Sequence, residues 1–172
     1  VAGDTNGESD VFVHDRMTGV TERVSLNSSE QQSGAGCWNA WPSISDDGRY
    51  VAFESSPCSW GLPSVTVGAH IWLRDRTAGT TQIIAGGSFT GSPLFHNSPA
   101  MSGDGRFVLF TSSQSTIVPG DTNNAYDAFV YDRTLSTYEM VSVGSGGVQG
   151  NLSVGSPASI SDDGRWVAFS SD

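Results

Sequence analysis

The sequence predicts an all-β chain built of propeller blades, three four-stranded antiparallel units in sum. Three observations predict it. The composition is rich in turn formers and poor in helix formers, with 21 Gly, 27 Ser and 13 Thr in 172 residues. Such a chain suits short strands joined by turns. Two sequence blocks each occur three times. Their copies lie 57 to 60 residues apart, a period that with strand-like content indicates blades rather than helical solenoids.

The first block is Ser43-Ile44-Ser45-Asp46-Asp47-Gly48-Arg49-Tyr50-Val51-Ala52-Phe53. It returns at Met101 to Phe110 and at Ser159 to Phe169. The second is Val11-Phe12-Val13-His14-Asp15-Arg16, returning as Ile71 to Arg76 and Ala128 to Arg133. Each unit resolves into strands A to D. Strand A follows a proline: Pro42 to Ser45, Pro99 to Ser102, Pro157 to Ser161. An Asp-Gly turn then signals a tight hairpin. Strand B covers Arg49 to Glu54, Arg106 to Thr111 and Arg165 to Ser170. Strand C is the Val-Phe-Val-type run ending in Asp-Arg. Strand D covers Glu22 to Leu26, Gln82 to Ala85 and Glu139 to Val143. B and C read as nearly continuous apolar runs, which suits a sheet covered on both faces.

The units are cut out of frame. The order is C-D, A-B-C-D, A-B-C-D, A-B, so the first blade is supplied as strands C-D and the last as A-B. The whole of 1–172 is read as one propeller segment. Its repeats fall at about 1–41 (half blade), 42–98, 99–156 and 157–172 (half blade). Val1 to Asn6 aligns with Val118 to Asn123, and Phe169 to Asp172 with Phe110 to Ser113. Tail and head are thus expected to be complementary halves of one blade. Beginning at Val1 rather than Met, the chain is expected to be a processed or trimmed piece.

The Ser-Asp-Asp-Gly-Arg-Trp-Val-Ala-Phe hairpin and the Gly-Asp-Thr-Asn…Asp-Ala-Phe-Val-Tyr-Asp-Arg run resemble TolB-like, WD-repeat-like β-propeller repeats of bacterial proteins. The resemblance covers the whole chain. It implies a propeller fold, a secreted setting (extracellular or periplasmic), and a binding or scaffolding surface.

Charge narrows the partners. Asp and Glu number 18 against 8 basic residues, all of them arginine, for a net charge of −10. Nucleic acid is excluded as a partner because phosphate binding needs basic surface. No apolar run is long enough for a membrane span.

The long loops all fall on one face, the usual binding face of such a scaffold. There, Asp121, Asn123 and Asp127 match Asp4, Asn6 and Asp10. Oxygen ligands at positions 1, 3 and 7 of a tight loop suit Ca²⁺. The competing reading is an Asx-turn in which the same side chains cap loop backbone. The middle unit departs from this pattern, with Ser64, Thr66 and His70 at those positions. That unit instead carries Cys37 and Cys58, which a secreted protein would join as a disulfide. Trp38, Trp41 and Trp60 lie beside them. They are candidates for stacking on sugar rings, or for a satellite core around the long loop.

No nucleophile elbow, His-Glu-x-x-His motif or phosphate loop is present. The leading expectation is a non-enzymatic extracellular scaffold or interaction module. Its half-blades would pair with another copy, as ring or filament, or with the rest of a longer propeller. A glycan-binding propeller using the Trp-rich face, and the propeller portion of a larger secreted hydrolase, are the alternatives.

Overall fold

The computed structural model describes residues 3–56, 69–86, 98–151 and 153–171. Among these residues there is no helix. Strand β1 (Phe12–His14) pairs with β2 (Thr21–Arg23). Strands β3 (Asn39–Ile44), β4 (Tyr50–Ser55), β5 (His70–Asp75) and β6 (Thr80–Gly86) form a four-stranded sheet in chain order. A second such sheet holds β7 (Ala100–Met101), β8 (Phe107–Ser112), β9 (Asp127–Asp132) and β10 (Thr137–Met140). Strand β11 (Val154–Ile160) pairs with β12 (Val167–Ser171). All pairings are antiparallel, and the staggered strand order is the one the repeats predict.

The recurring hairpin has a local cause. The Asp47 carboxylate accepts hydrogen bonds from the Ser45 hydroxyl (2.6 Å) and the Arg49 N–H (2.9 Å). Gly48 takes the left-handed conformation the turn needs, with φ 71°. The Ser45 hydroxyl also accepts from the Tyr50 N–H. Asp104 and Asp163 repeat these bonds.

Three hydrophobic cores lie between sheets, not within them. One joins β1–β2 to the first four-stranded sheet through Val11, Val24, Val51, Phe53 and Trp72. The central one joins the two four-stranded sheets, with Tyr50, Ala52, Val108, Phe110 and Phe129 among its members. The last joins the second sheet to β11–β12 through Leu109, Val130 and Val154, with Phe107 and Val167 packed against it. Successive residues of a strand point to opposite faces. On β4, Val51 and Phe53 therefore face one neighbour, and Tyr50 and Ala52 the other. This is why the apolar runs are continuous.

Two strand types depart from expectation. Strand A begins earlier than its proline in β3 and β11, while β7 begins just after Pro99. In β3 the pairing shifts register between Ala40 and Ser43, where Trp41 has φ 54° and Pro42 has no N–H to give. Strand β11 shifts likewise between Gly155 and Ser159, around Pro157. Strand D ends early in two units, with β2 stopping at Arg23 and β10 at Met140, whereas β6 extends beyond the expected Gln82 to Ala85 at both ends. A serine hydroxyl ends the ladder after β2 and after β10. Ser25 Oγ accepts the Val11 N–H, and Ser142 Oγ accepts the Ala128 N–H, both at 3.1 Å.

Candidate functional site

On the long-loop face, each Asp-Asn segment is closed by side chains from the following D–A loop. The Asn6 Oδ1 accepts the Glu8 N–H, and Asn123 Oδ1 accepts the Ala125 N–H, the bonds of an Asx-turn. Asp10 accepts from Ser25 Oγ (2.7 Å) and Asn39 Nδ2 (3.1 Å) through one oxygen, and from Asn6 Nδ2 (3.2 Å) through the other. Arg23 sits between Asp10 (3.4 Å) and Asp4 (3.7 Å), so a guanidinium already meets their charge. In the third unit Gln149 Nε2 bridges Asp121 (2.8 Å) and Asp127 (3.1 Å), while its Oε1 accepts the Thr122 N–H. Asp121 Oδ2 is buried without a hydrogen-bond partner among the described residues. Among those residues no group of three or more His, Cys, Asp or Glu is placed to hold a metal ion. Gln32 and Gln149 are repeat-equivalent, each bridged across its loop to Leu26 or Val143.

In the middle unit, His70 and Cys37 are buried. Trp38 and Trp41 are 36% and 45% exposed. Cys58, Trp60, Ser64 and Thr66 lie outside the described residues.

A cleft of about 770 Å³ opens between β1–β2 and the β5–β6 turn. Arg23 and Arg74, the two arginines without a recurring blade position, both line it. Arg74 pairs with Glu30 at 2.6 Å, and Arg76 with Glu22 at 2.6 Å. Glu30 has φ 58°, a strained conformation for a residue with a side chain. Every guanidinium here faces a carboxylate, so the cleft has no spare positive charge. It works as a latch that docks the 26–31 segment onto Thr81, whose hydroxyl donates to the Leu26 carbonyl at 2.5 Å.

The most regular chemistry lies on the opposite face. Arg49 makes a two-pronged pair with Asp75 (3.0 and 2.7 Å). Arg106 does the same with Asp132 (2.6 Å at the shorter prong). The arginine opens strand B and the aspartate closes strand C, so the pair clamps that edge of each full blade. Each arginine also stacks on the next aromatic: Arg49 on Tyr50 and Arg106 on Phe107, both at 4.7 Å. Each aspartate caps its own turn as well, through the N–H groups of residues two and three further on.

Arg49 is the main cause that lowers the Asp75 carboxyl from 3.8 to about 2, with the Ala78 and Thr77 N–H groups adding to it. Asp75 therefore binds its proton less readily in the folded chain than in the unfolded one. Its stabilisation is complete above pH 4 and is lost as pH falls from about 4 to about 2. The cost of Arg49→Ala in urea unfolding should accordingly be largest at neutral pH and shrink through that window. A cost that stays constant down to pH 2 would separate the pair from stability.

The half-blades hold the same groups unmatched. Arg165 stacks on Trp166 at 4.5 Å, as its equivalents do, with no carboxylate paired to it among the described residues. Asp15 caps its turn through the Met17 N–H (2.8 Å) and Thr18, with no arginine paired to it among the described residues. Those turn bonds, the Met17 N–H first, are what lower its carboxyl. The outer edges of β1 and β12 carry no strand among the described residues.

Sheets of this strand order, packed face to face in a row, define a β-propeller. The chain has that fold. It is similar to TolB from Acinetobacter baumannii, with a TM-score of 0.55 over 93% of this chain at 18% identity. It is also similar to the β-propeller domain of the Trilobed protease from Pyrococcus furiosus, a domain with an open velcro topology. That likeness has a TM-score of 0.50 over 77% of this chain at 11% identity. The chain spans 31% and 34% of those two structures. No family model matches the sequence, and no curated protein matches it.

Proposed function

We infer that the chain is a non-enzymatic protein-interaction module of an extracellular or periplasmic scaffold, completed by strand addition at its open blade edges. One observation carries this reading: the unpaired β12 edge leaves Trp166 62% and Phe169 38% exposed. At the same repeat positions Tyr50, Phe53 and Phe110 are buried and Phe107 is half-buried. An open edge with an apolar face is a template for another strand.

The test is a peptide of sequence Asp127 to Arg133, the strand that covers β8 in the second full blade. Added to dilute chain, it should slow amide exchange across Val167 to Ser171. Unchanged exchange at saturating peptide would sink the strand-addition reading.

A Cys37–Cys58 disulfide belongs to the same proposal, since Cys37 is buried and the setting oxidising. Thiol titration of unreduced, denatured protein should find no free thiol. Two titratable thiols would remove the disulfide and weaken the extracellular assignment.

A further inference from the structure

The two open edges match each other group for group. In the full blades, strand B pairs with strand C in one register: Tyr50 opposite Asp75, Ala52 opposite Leu73, Phe53 opposite Trp72. The second blade repeats it, with Phe107 opposite Asp132 and Phe110 opposite Phe129. The same register sets Trp166 opposite Asp15, Ala168 opposite Val13 and Phe169 opposite Phe12. It brings Arg165 to Asp15, the one carboxylate at that repeat position without its arginine.

Two further contacts are present between successive blades and a third within each full blade, and all three are half-present at the outer edges. First, the A–B turns form a ladder along the row. The Asp46 N–H donates to the Gly103 carbonyl (2.8 Å), and the Gly103 N–H to the Asp162 carbonyl (2.9 Å). Asp162 N–H is the next donor, and the Asp46 carbonyl is the acceptor at the other end, with no such bond among the described residues. Second, the turn glycine of each blade lies on the strand-B aromatic of the blade before it. A Cβ on Gly105 would meet the Tyr50 ring, and one on Gly164 the Phe107 ring. Gly48 is the remaining turn glycine and Trp166 the remaining ring. Third, Arg76 and Arg133 donate to the Gly48 and Gly105 carbonyls of their own blades. Arg16 is their equivalent and Gly164 the unmatched carbonyl.

The cores agree. Strand B supplies Tyr50 and Ala52 to the central core, and Phe107 and Leu109 to the last one. The core between β1–β2 and the first full sheet lacks that contribution. Trp166 and Ala168 are its equivalents, and both are exposed.

We propose that the strand partner is a second copy of this chain, with β12 of one copy adding antiparallel to β1 of the next in the Trp166–Asp15 register. The composite blade is then A-B from one copy and C-D from the other. Arg165 pairs with Asp15, and the Gly48 turn of the second copy covers Trp166. Two copies close six blades if the rotation between blades returns on itself, and an open rotation extends the row. This deepens the strand-addition reading and rests on it.

The test mixes chains carrying Ala168→Cys with chains carrying Val13→Cys under mild oxidation. A 168–13 cross-link can form only between copies. Peptide mapping should find that cross-link, and light scattering of the unmutated chain should give a particle of two or more chains. Arg165→Ala and Asp15→Asn should each weaken association about two- to fivefold, an exposed charge pair's share. Asn keeps an oxygen for the turn, and the double variant should be no weaker than either single one. A single-chain particle at 100 µM, or association without the 168–13 link, overturns the self-pairing. If the Asp127 to Arg133 peptide still protects β12, strand addition stands and the partner strand comes from elsewhere, a different chain or a longer stretch of this propeller. If the peptide fails as well, both readings fall.

Discussion

Phe110→Ala should destabilise the isolated chain by about 3–5 kcal/mol in urea unfolding, the usual range for emptying a buried Phe site. Phe110 is 1% exposed in the central core. Its ring stacks on Phe129 with centroids 5.8 Å apart and meets Tyr138 edge-on at 6.5 Å. Two sheets close over it, so the site cannot collapse around the smaller side chain. Phe169→Ala changes the same repeat position on β12, where no strand C covers the ring. For the dilute chain it should cost about 1 kcal/mol or less, as partly exposed sites do. The gap between the two variants measures what a covering strand adds to one aromatic. Equal costs would mean that the β12 edge is already covered in solution.

Gly105→Ala should be the second large effect, about 2–5 kcal/mol by the same measurement. Part of this is backbone: Gly105 has φ 68°, and an L-residue there is strained by about 1–2 kcal/mol. The rest is packing, because the new methyl would press on the Tyr50 ring and the Ser45 side chain of the blade before, and overpacking adds about 1–3 kcal/mol. Gly19→Ala is the control. Its φ is 73°, and nothing lies within 4 Å of the added carbon, so only the strain of about 1–2 kcal/mol should appear. Two variants of equal cost would show that turn glycines serve the hairpin alone and not the join between blades.

The repeats made the fold legible because each block states its own local physics. Ser, Asp, Gly and Arg in fixed order specify the hairpin through bonds that span no more than five residues. The Arg49–Asp75 pair was harder to see. Both residues recur in the repeated blocks, but nothing local joins the arginine that opens strand B to the aspartate that closes strand C. Their partnership crosses 26 residues and a long loop, and the signal was the identical 26-residue separation of Arg106 and Asp132. The strand D boundaries failed for a similar reason. Ser25 and Ser142 look like ordinary strand residues until their hydroxyls replace a backbone acceptor. On the loop face, the Asp-Asn segments were found but their neighbours were not. Arg23 and Gln149 come from other elements, and nothing local announces that they meet those carboxylates.

Every core described above is shared between two sheets, so no single blade owns one. The energy of the row is then a sum of nearest-neighbour joins, as in a one-dimensional lattice. A duplicated four-strand unit brings half of a new core and asks nothing of distant residues. Such a chain can lengthen by gene duplication without redesign, and it should melt from its outer units inward.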